Sequence, residues 1–221
     1  TADAEIANKT DVVLTSVAGN EKAIGYISLG ALNDTVKAVK VDGAEATVDN
    51  VKAGAYKLSR PFNIATKGEP TGLAKDFINF ILSKEGQAVV TDNKYIAVND
   101  AAESFVSDGS SGQIAVGGSS SVSPVMEKLI EAYKSVNPNA SIDLQTSDST
   151  SGMTGAMDGT FAIGMASREL KDEEAAQLTG TAIALDGIAV IVNPANTIDE
   201  LSMDQIKSIY VGDITDWGDL A

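Results

Sequence analysis

Short apolar runs alternate with stretches of helical spacing along most of the chain, the signature of an α/β protein. DVVLTSVA (11–18) leads through Gly19-Asn20 into AIGYISLGAL, where a buried strand is predicted over 23–29. VKAVKV (36–41) predicts a strand, ATVDNVKAG (46–54) a short helix ending at Gly54, and RPFNIAT (60–66) another strand. LAKDFINFILSKEG (73–86) places Leu73, Phe77 and Ile81 on one helical face, with Gly86 as its stop. NDAAESFVSDGSSGQ (99–113) is polar and rich in Ser, Gly and Asp, and reads as a linker.

Beyond it the alternation resumes. IAVGG predicts a strand that runs into the serines of GGSSSVSP (117–124), and Val125, Leu129, Ile130 and Tyr133 form a helical stripe. SIDLQTS reads as a strand, SGMTGAMDG as a turn into a short helix, and FAIGMAS as a buried strand. DEEAAQL predicts a polar helix whose acidic start complements the dipole, and TAIALDGIAVIVNP a long strand. LSMDQIKSIYVG predicts a helix with Ser202 and Gln205 at capping-box spacing. Met153, Met157 and Met165 read as core fillers and Trp217 as a packing residue. No internal repeat interrupts this order.

Two absences narrow the chemistry. The 221 residues contain no cysteine and no histidine. Disulfides, thiolate catalysis, zinc–thiolate sites and the Ser-His-Asp triad are therefore excluded. No metal site and no cofactor is expected; Asp158-Gly159 reads as a turn rather than a calcium loop, because spaced acidic ligands are missing. The net charge of −15 argues against nucleic acid as a partner. It leaves room for a small anion, because distant charges are screened beyond about 8 Å. No apolar run reaches the roughly 18 residues of a membrane span. The chain opens TADAEIANKT, without a basic-then-apolar leader, so any targeting segment is expected to lie outside this sequence.

The candidate chemistry sits where strands run into helices. Pro124 suits the first helical position, which makes Ser123 the expected N-cap and leaves Ser121 and Val122 at the helix mouth. Such a mouth offers backbone N–H groups and partial positive charge to an anion; the plain alternative is a capped helix with a Gly-Ser lead-in. SDSTSGMTG (147–155) and GMASREL (164–170) repeat the arrangement. Three hydroxyl-bearing strand-to-helix junctions in one half of the chain point to a polyoxyanion site beyond the strands' carboxyl ends. Arg168 has two readings, a ligand contact or an ion pair.

GGSSSVSP, SDSTSG, IGMASREL, ALDGIAVIVNP and IYVGDITDWGDL resemble the amino-terminal half of Pst-type phosphate-binding proteins, the soluble receptors of phosphate ABC importers. AIGYISLGAL, VDGAEATVDNVKAGAYKLSRPFNIATKG and LAKDFINFILSKEGQAVV resemble the carboxyl-terminal half of the same family. The order is reversed, as in a circular permutant whose usual ends are joined through 99–113.

The resemblance implies a type II periplasmic-binding-protein-like α/β fold of two lobes. One lobe would be continuous over 60–186. The other would be assembled from 1–59 and 187–221 and incomplete by about a strand. It implies phosphate as ligand, with Ser121 donating its hydroxyl and Val122 its backbone N–H, and Ser149 as the second donor beside Thr150 and Ser151. Ser167 falls where some members carry a proton-accepting aspartate; Ser120 and Arg168 are secondary candidates. The family's arginine-bearing Gly-Ser-Gly-Thr loop does not occur here; in the permuted order it would precede Thr1. The expected function is capture of inorganic phosphate for an ABC permease, without catalysis, by an extracytoplasmic monomer, periplasmic or anchored at the cell surface as a lipoprotein. A phosphatase, or a binding or sensing module for another tetrahedral oxyanion, is the alternative.

Overall fold

A computed structural model describes residues 4–220, and the chain divides into two compact units, Arg60–Asp186 and Thr1–Ser59 with Gly187–Ala221. In the discontinuous unit, DVVLTSVA lies within helix α1 (Thr10–Ala18), because Val13, Leu14, Val17 and Ala18 recur at helical spacing and pack inward. Strand β1 (Ile24–Ser28) follows as the sequence predicts. The strand expected over 36–41 divides into β2 (Lys37–Ala38) and β3 (Lys40–Val41), which have different partners. β2 pairs with Ile191 and Val192, and β3 with Glu200 and Leu201. Val39, buried between them, marks the switch. Helix α2 (Val48–Lys52) is capped by Thr47, whose hydroxyl accepts the Asn50 N–H.

In the continuous unit come β4 (Ser59–Thr66), α3 (Gly72–Leu82), α4 (Lys84–Asp92), β5 (Gly112–Ser119), α5 (Ser123–Val136), β6 (Ala140–Ser147), α6 (Ser149–Asp158), β7 (Ile163–Ala166) and α7 (Asp172–Ala175). Strand β8 (Thr179–Val192) then runs on from this unit into the other. The sheet order is β8–β4–β7–β5–β6, with β5 parallel to both β6 and β7, and β4 antiparallel to β7. Phe62, Phe77, Phe80, Ile81, Val116, Met126, Leu129, Tyr133, Ile163 and Met165 form its core.

The helix expected over 73–86 is two helices. Ser83 takes an extended conformation between them, and its hydroxyl caps α4 by accepting the Gly86 N–H. Gly86 stops nothing. It sits in the first turn of α4, where any Cβ would collide with the Phe80 carbonyl, so glycine permits the tight corner.

The polar stretch 99–113 has no regular structure before Gly112, yet it is anchored throughout. The Lys84 N–H donates to Glu103 O, and the Phe105 N–H to the Glu85 carboxylate at 2.7 Å. The Phe105 ring packs edge-on against Phe80. Further along, Ser107 Oγ and the Asp108 N–H donate to the carboxylate of Asp76, 2% exposed, which also accepts the Tyr133 hydroxyl at 2.6 Å. Asn137 then donates to Ser110 O. Burial pushes the Asp76 carboxyl up, but the hydrogen bonds from Tyr133, Asp108 and Ser107 outweigh it and hold the pKa below the usual value.

After β8, the discontinuous unit closes with β9 (Glu200–Leu201) and α8 (Met203–Val211). The Ser202/Gln205 capping box forms, with Gly212 left-handed beyond the last turn. β8 pairs antiparallel with β1, from Ile24 opposite Val192 to Ser28 opposite Ile188. Val17, Ile27, Leu29, Val36, Ala189 and Ile191 form the core here. Trp217 is half-buried and donates its indole N–H to Lys22 O.

Replacing Asp76 with Ala should lower stability by about 3 kcal/mol at pH 7, the scale for a buried charged acceptor whose donors are left unpaired. Because the folded pKa is depressed, the charge-dependent part of that contribution is complete above about pH 4 and is lost as pH falls through the folded value. Urea melts of wild type and Asp76→Ala should therefore differ most at pH 7, with the gap narrowing in acid.

Candidate functional site

The parallel register fixes where the three junctions meet. Ser119 at the end of β5 lies opposite Ser147 at the end of β6, and Gly118 opposite Met165 on β7. All three strands therefore end at one edge of the sheet. A Cβ at Gly152 in α6 would lie 2.7 Å from the Gly118 Cα and 2.6 Å from the Met165 carbonyl. Only paired glycines let the first turn of α6 rest directly on those strand ends.

The first junction is wound more tightly than the sequence predicts. Val122, not Ser123, is the N-cap of α5; it is fully buried, and its N–H donates to Ser119 O at 3.0 Å. The backbone donor expected to face a ligand is thus spent on a turn. Ser123 lies inside the helix, its hydroxyl donating to Ser119 O and accepting from Thr146. The Ser120 N–H donates to Ser147 O across the strand ends, and the Ser121 N–H to the Ser119 hydroxyl. Ser120 and Ser121 are half-buried, at the turn between β5 and α5.

At the second junction Asp148 caps α6, a role the sequence reading missed although Asp is a favoured N-cap. Its carboxylate accepts both the Ser151 N–H at 3.0 Å and the Ser151 hydroxyl at 2.8 Å. Ser151, a ligand candidate in the sequence, is here engaged with the cap through both groups. Those two bonds hold the Asp148 pKa below its usual value against the effect of burial, so the group is ionised at neutral pH. Ser149 and Thr150, the first two residues of α6, keep their hydroxyl protons without an acceptor among the described residues.

The third junction joins the second. The Ser167 N–H donates to Ser149 Oγ at 3.1 Å. Arg168 takes the ion-pair reading, with a buried partner: its two amino groups lie 2.7 and 2.8 Å from the Glu174 carboxylate oxygens. It also donates to Glu169 O at 2.9 Å and to Thr150 Oγ1 at 3.4 Å. The hydrogen bonds from Arg168 outweigh burial and hold Glu174 below the usual carboxylate range. Glu174, read from the sequence only as part of an acidic helix start, is the residue that claims the arginine.

The arrangement is a cluster of neutral hydroxyl dipoles at converging strand ends, beside one capping carboxylate. Among the described residues, no His, Cys, Asp and Glu side chains gather into a metal-holding group.

The sequence model described as PBP superfamily domain matches residues 1–85 and 104–221. The phosphate-binding protein PstS 2 of Streptococcus agalactiae is 51% identical over 99% of this chain and 75% of its own length. This chain belongs to the PstS family of phosphate-binding proteins. A crystal structure of a phosphate ABC transporter's phosphate-binding protein from Streptococcus pneumoniae superposes with a TM-score of 0.78 at 48% identity, covering 99% of this chain and 85% of that one. The phosphate-binding protein PstS of Bacillus subtilis is 37% identical, over 42% of this chain. The fold is thus the α/β binding-protein fold of this family.

Removing the Asp148 cap by Asp148→Ala should cost about 1 kcal/mol, and Asp148→Ser less, because serine also caps. Chemical denaturation at pH 7 checks the order.

Proposed function

We propose that this chain captures inorganic phosphate outside the cytoplasm and passes it to the membrane permease of an ABC importer, performing no catalysis. The observation that carries this is the parallel alignment of β6, β5 and β7, which brings three hydroxyl-bearing junctions to one edge. Membership of the PstS family supports phosphate as the ligand. The hydroxyls of Ser121, Ser149 and Thr150 are the proposed donors, with those of Ser120 and Ser167 beside them. Val122 and Ser151 support the site from behind, as cap and capped residue.

The sequence has two arginines, Arg60 and Arg168, and each is paired with a carboxylate of a buried residue, Asp186 and Glu174. On this reading the described residues hold the anion with neutral dipoles rather than with a guanidinium fork. The proposal includes a rearranged chain order, in which 99–113 joins what are the two ends of other PstS proteins. Supporting it, the streptococcal relative matches nearly the whole chain, whereas the Bacillus protein matches less than half. The units Arg60–Asp186 and Thr1–Ser59 with Gly187–Ala221 then serve as the two lobes. The protein is proposed to act as a monomer, periplasmic or lipid-anchored at the cell surface. Among the described residues no helix is long and apolar enough to cross a membrane.

Calorimetric titration with phosphate should give one saturable site, and Ser149→Ala should weaken it by about tenfold or more, the value of one hydrogen bond to a charged group. Competition with sulfate, arsenate and molybdate ranks the anions, and an assay with an aryl phosphate should show no turnover. Hydrolysis without stoichiometric binding, or a preference for another oxyanion over phosphate, would overturn the reading.

A further inference from the structure

Both amino groups of Arg168 are engaged within the protein, and their partners suggest a role other than direct ligand contact. A guanidinium has five N–H donors, four of them on its two amino groups. One amino group donates to Glu174 Oε2 and Glu169 O, the other to Glu174 Oε1 and Thr150 Oγ1. No amino hydrogen is left over, so the fork is closed to a bidentate oxyanion while Glu174 holds it. Glu174 is not easily parted from it. Its side chain is 3% exposed, and it accepts the Lys171 N–H as well. Stranding one member of such a buried pair is strongly destabilising.

The fourth contact is the informative one. A hydroxyl has one proton and two lone pairs. With Arg168 on a lone pair of Thr150 Oγ1, the Thr150 proton is directed away from the guanidinium and is left for another acceptor. A donor that itself accepts from a cation is strengthened by it. Ser149 is set the same way by the Ser167 N–H. Two successive hydroxyls at the start of α6 thus each accept a hydrogen bond from within the protein, and each keeps its proton to donate.

We propose that Arg168 and Glu174 form a positioning pair for the oxyanion site: Glu174 fixes Arg168, and Arg168 sets the Thr150 hydroxyl as a donor without itself touching the ligand. The proposal rests on the phosphate-binding reading above and assigns a role within that site.

A mutant cycle tests it, with phosphate titrated calorimetrically and each melting temperature recorded. Arg168→Met combined with Glu174→Gln removes both charges, so neither is left buried and unpaired. That double variant and Thr150→Val alone should each weaken phosphate binding by about tenfold. Adding Thr150→Val to the double variant should cost less than about twofold more, because the two changes remove one interaction. Ser149→Ala should keep its full cost in the same background. If the pair is only structural, Thr150→Val costs the same in both backgrounds, and the proposal fails. Complete loss of binding in a double variant with the wild-type melting temperature would make Arg168 a direct ligand, and also overturns it. Should the double variant not fold, Arg168→Lys, which keeps the charge on Glu174 but loses the second arm, replaces it with the same expected non-additivity. A wild-type chain that binds no oxyanion overturns the phosphate reading itself; one that binds with additive Thr150 costs overturns only this assignment.

Discussion

Everything proposed for this molecule depends on the side-by-side parallel pairing of β5 with β6 and with β7. Parallel strands send their carboxyl ends the same way, so three segments distant in sequence deliver their turns to one place. The register is then made useful by glycine. Gly118 carries a φ of +134°, and Gly152 faces it so closely that no side chain fits between helix and strand. With larger residues there, α6 would stand off from the sheet, and Ser149 would lose the Ser167 N–H that orients its hydroxyl.

The second constraint is electrostatic. A chain of net charge −15 that selects an anion must do so locally. In the proposed site no arginine is spent on the ligand, since both arginines are held by carboxylates. Asp148 even places a negative group at the start of α6, tied down by the Ser151 N–H and hydroxyl. Oriented dipoles in a partly dehydrated corner can outweigh charges that water and salt screen.

Much of this was legible in the sequence, and the misreadings have physical causes. Apolar spacing located β1, β4, β7 and α5, because a buried face leaves a periodic trace. It could not place the break at Ser83, where a serine that caps outward looks like a serine inside a helix. The sequence also missed that Val122, with no polar side chain, ends up as the cap of α5. That choice is made by the Ser119 carbonyl and by burial of the valine, both tertiary facts. The commitment of Ser151 followed from Asp148, readable from N-cap preference but overshadowed by three neighbouring hydroxyls. Arg168 could not be settled from sequence at all, because its partner lies beyond a turn whose geometry alone aims Glu174 back at it.

The stretch 99–113 has the composition of a tether, yet Glu85, Asp76 and Asn137 grip it at three separate points. Severing its backbone between two of those grips would leave both new ends where they are, each still fastened to the core. On the proposed rearranged order, this is the place where other chains of the family would begin and end, and the grips on either side would hold such ends as they hold the unbroken strand of chain here.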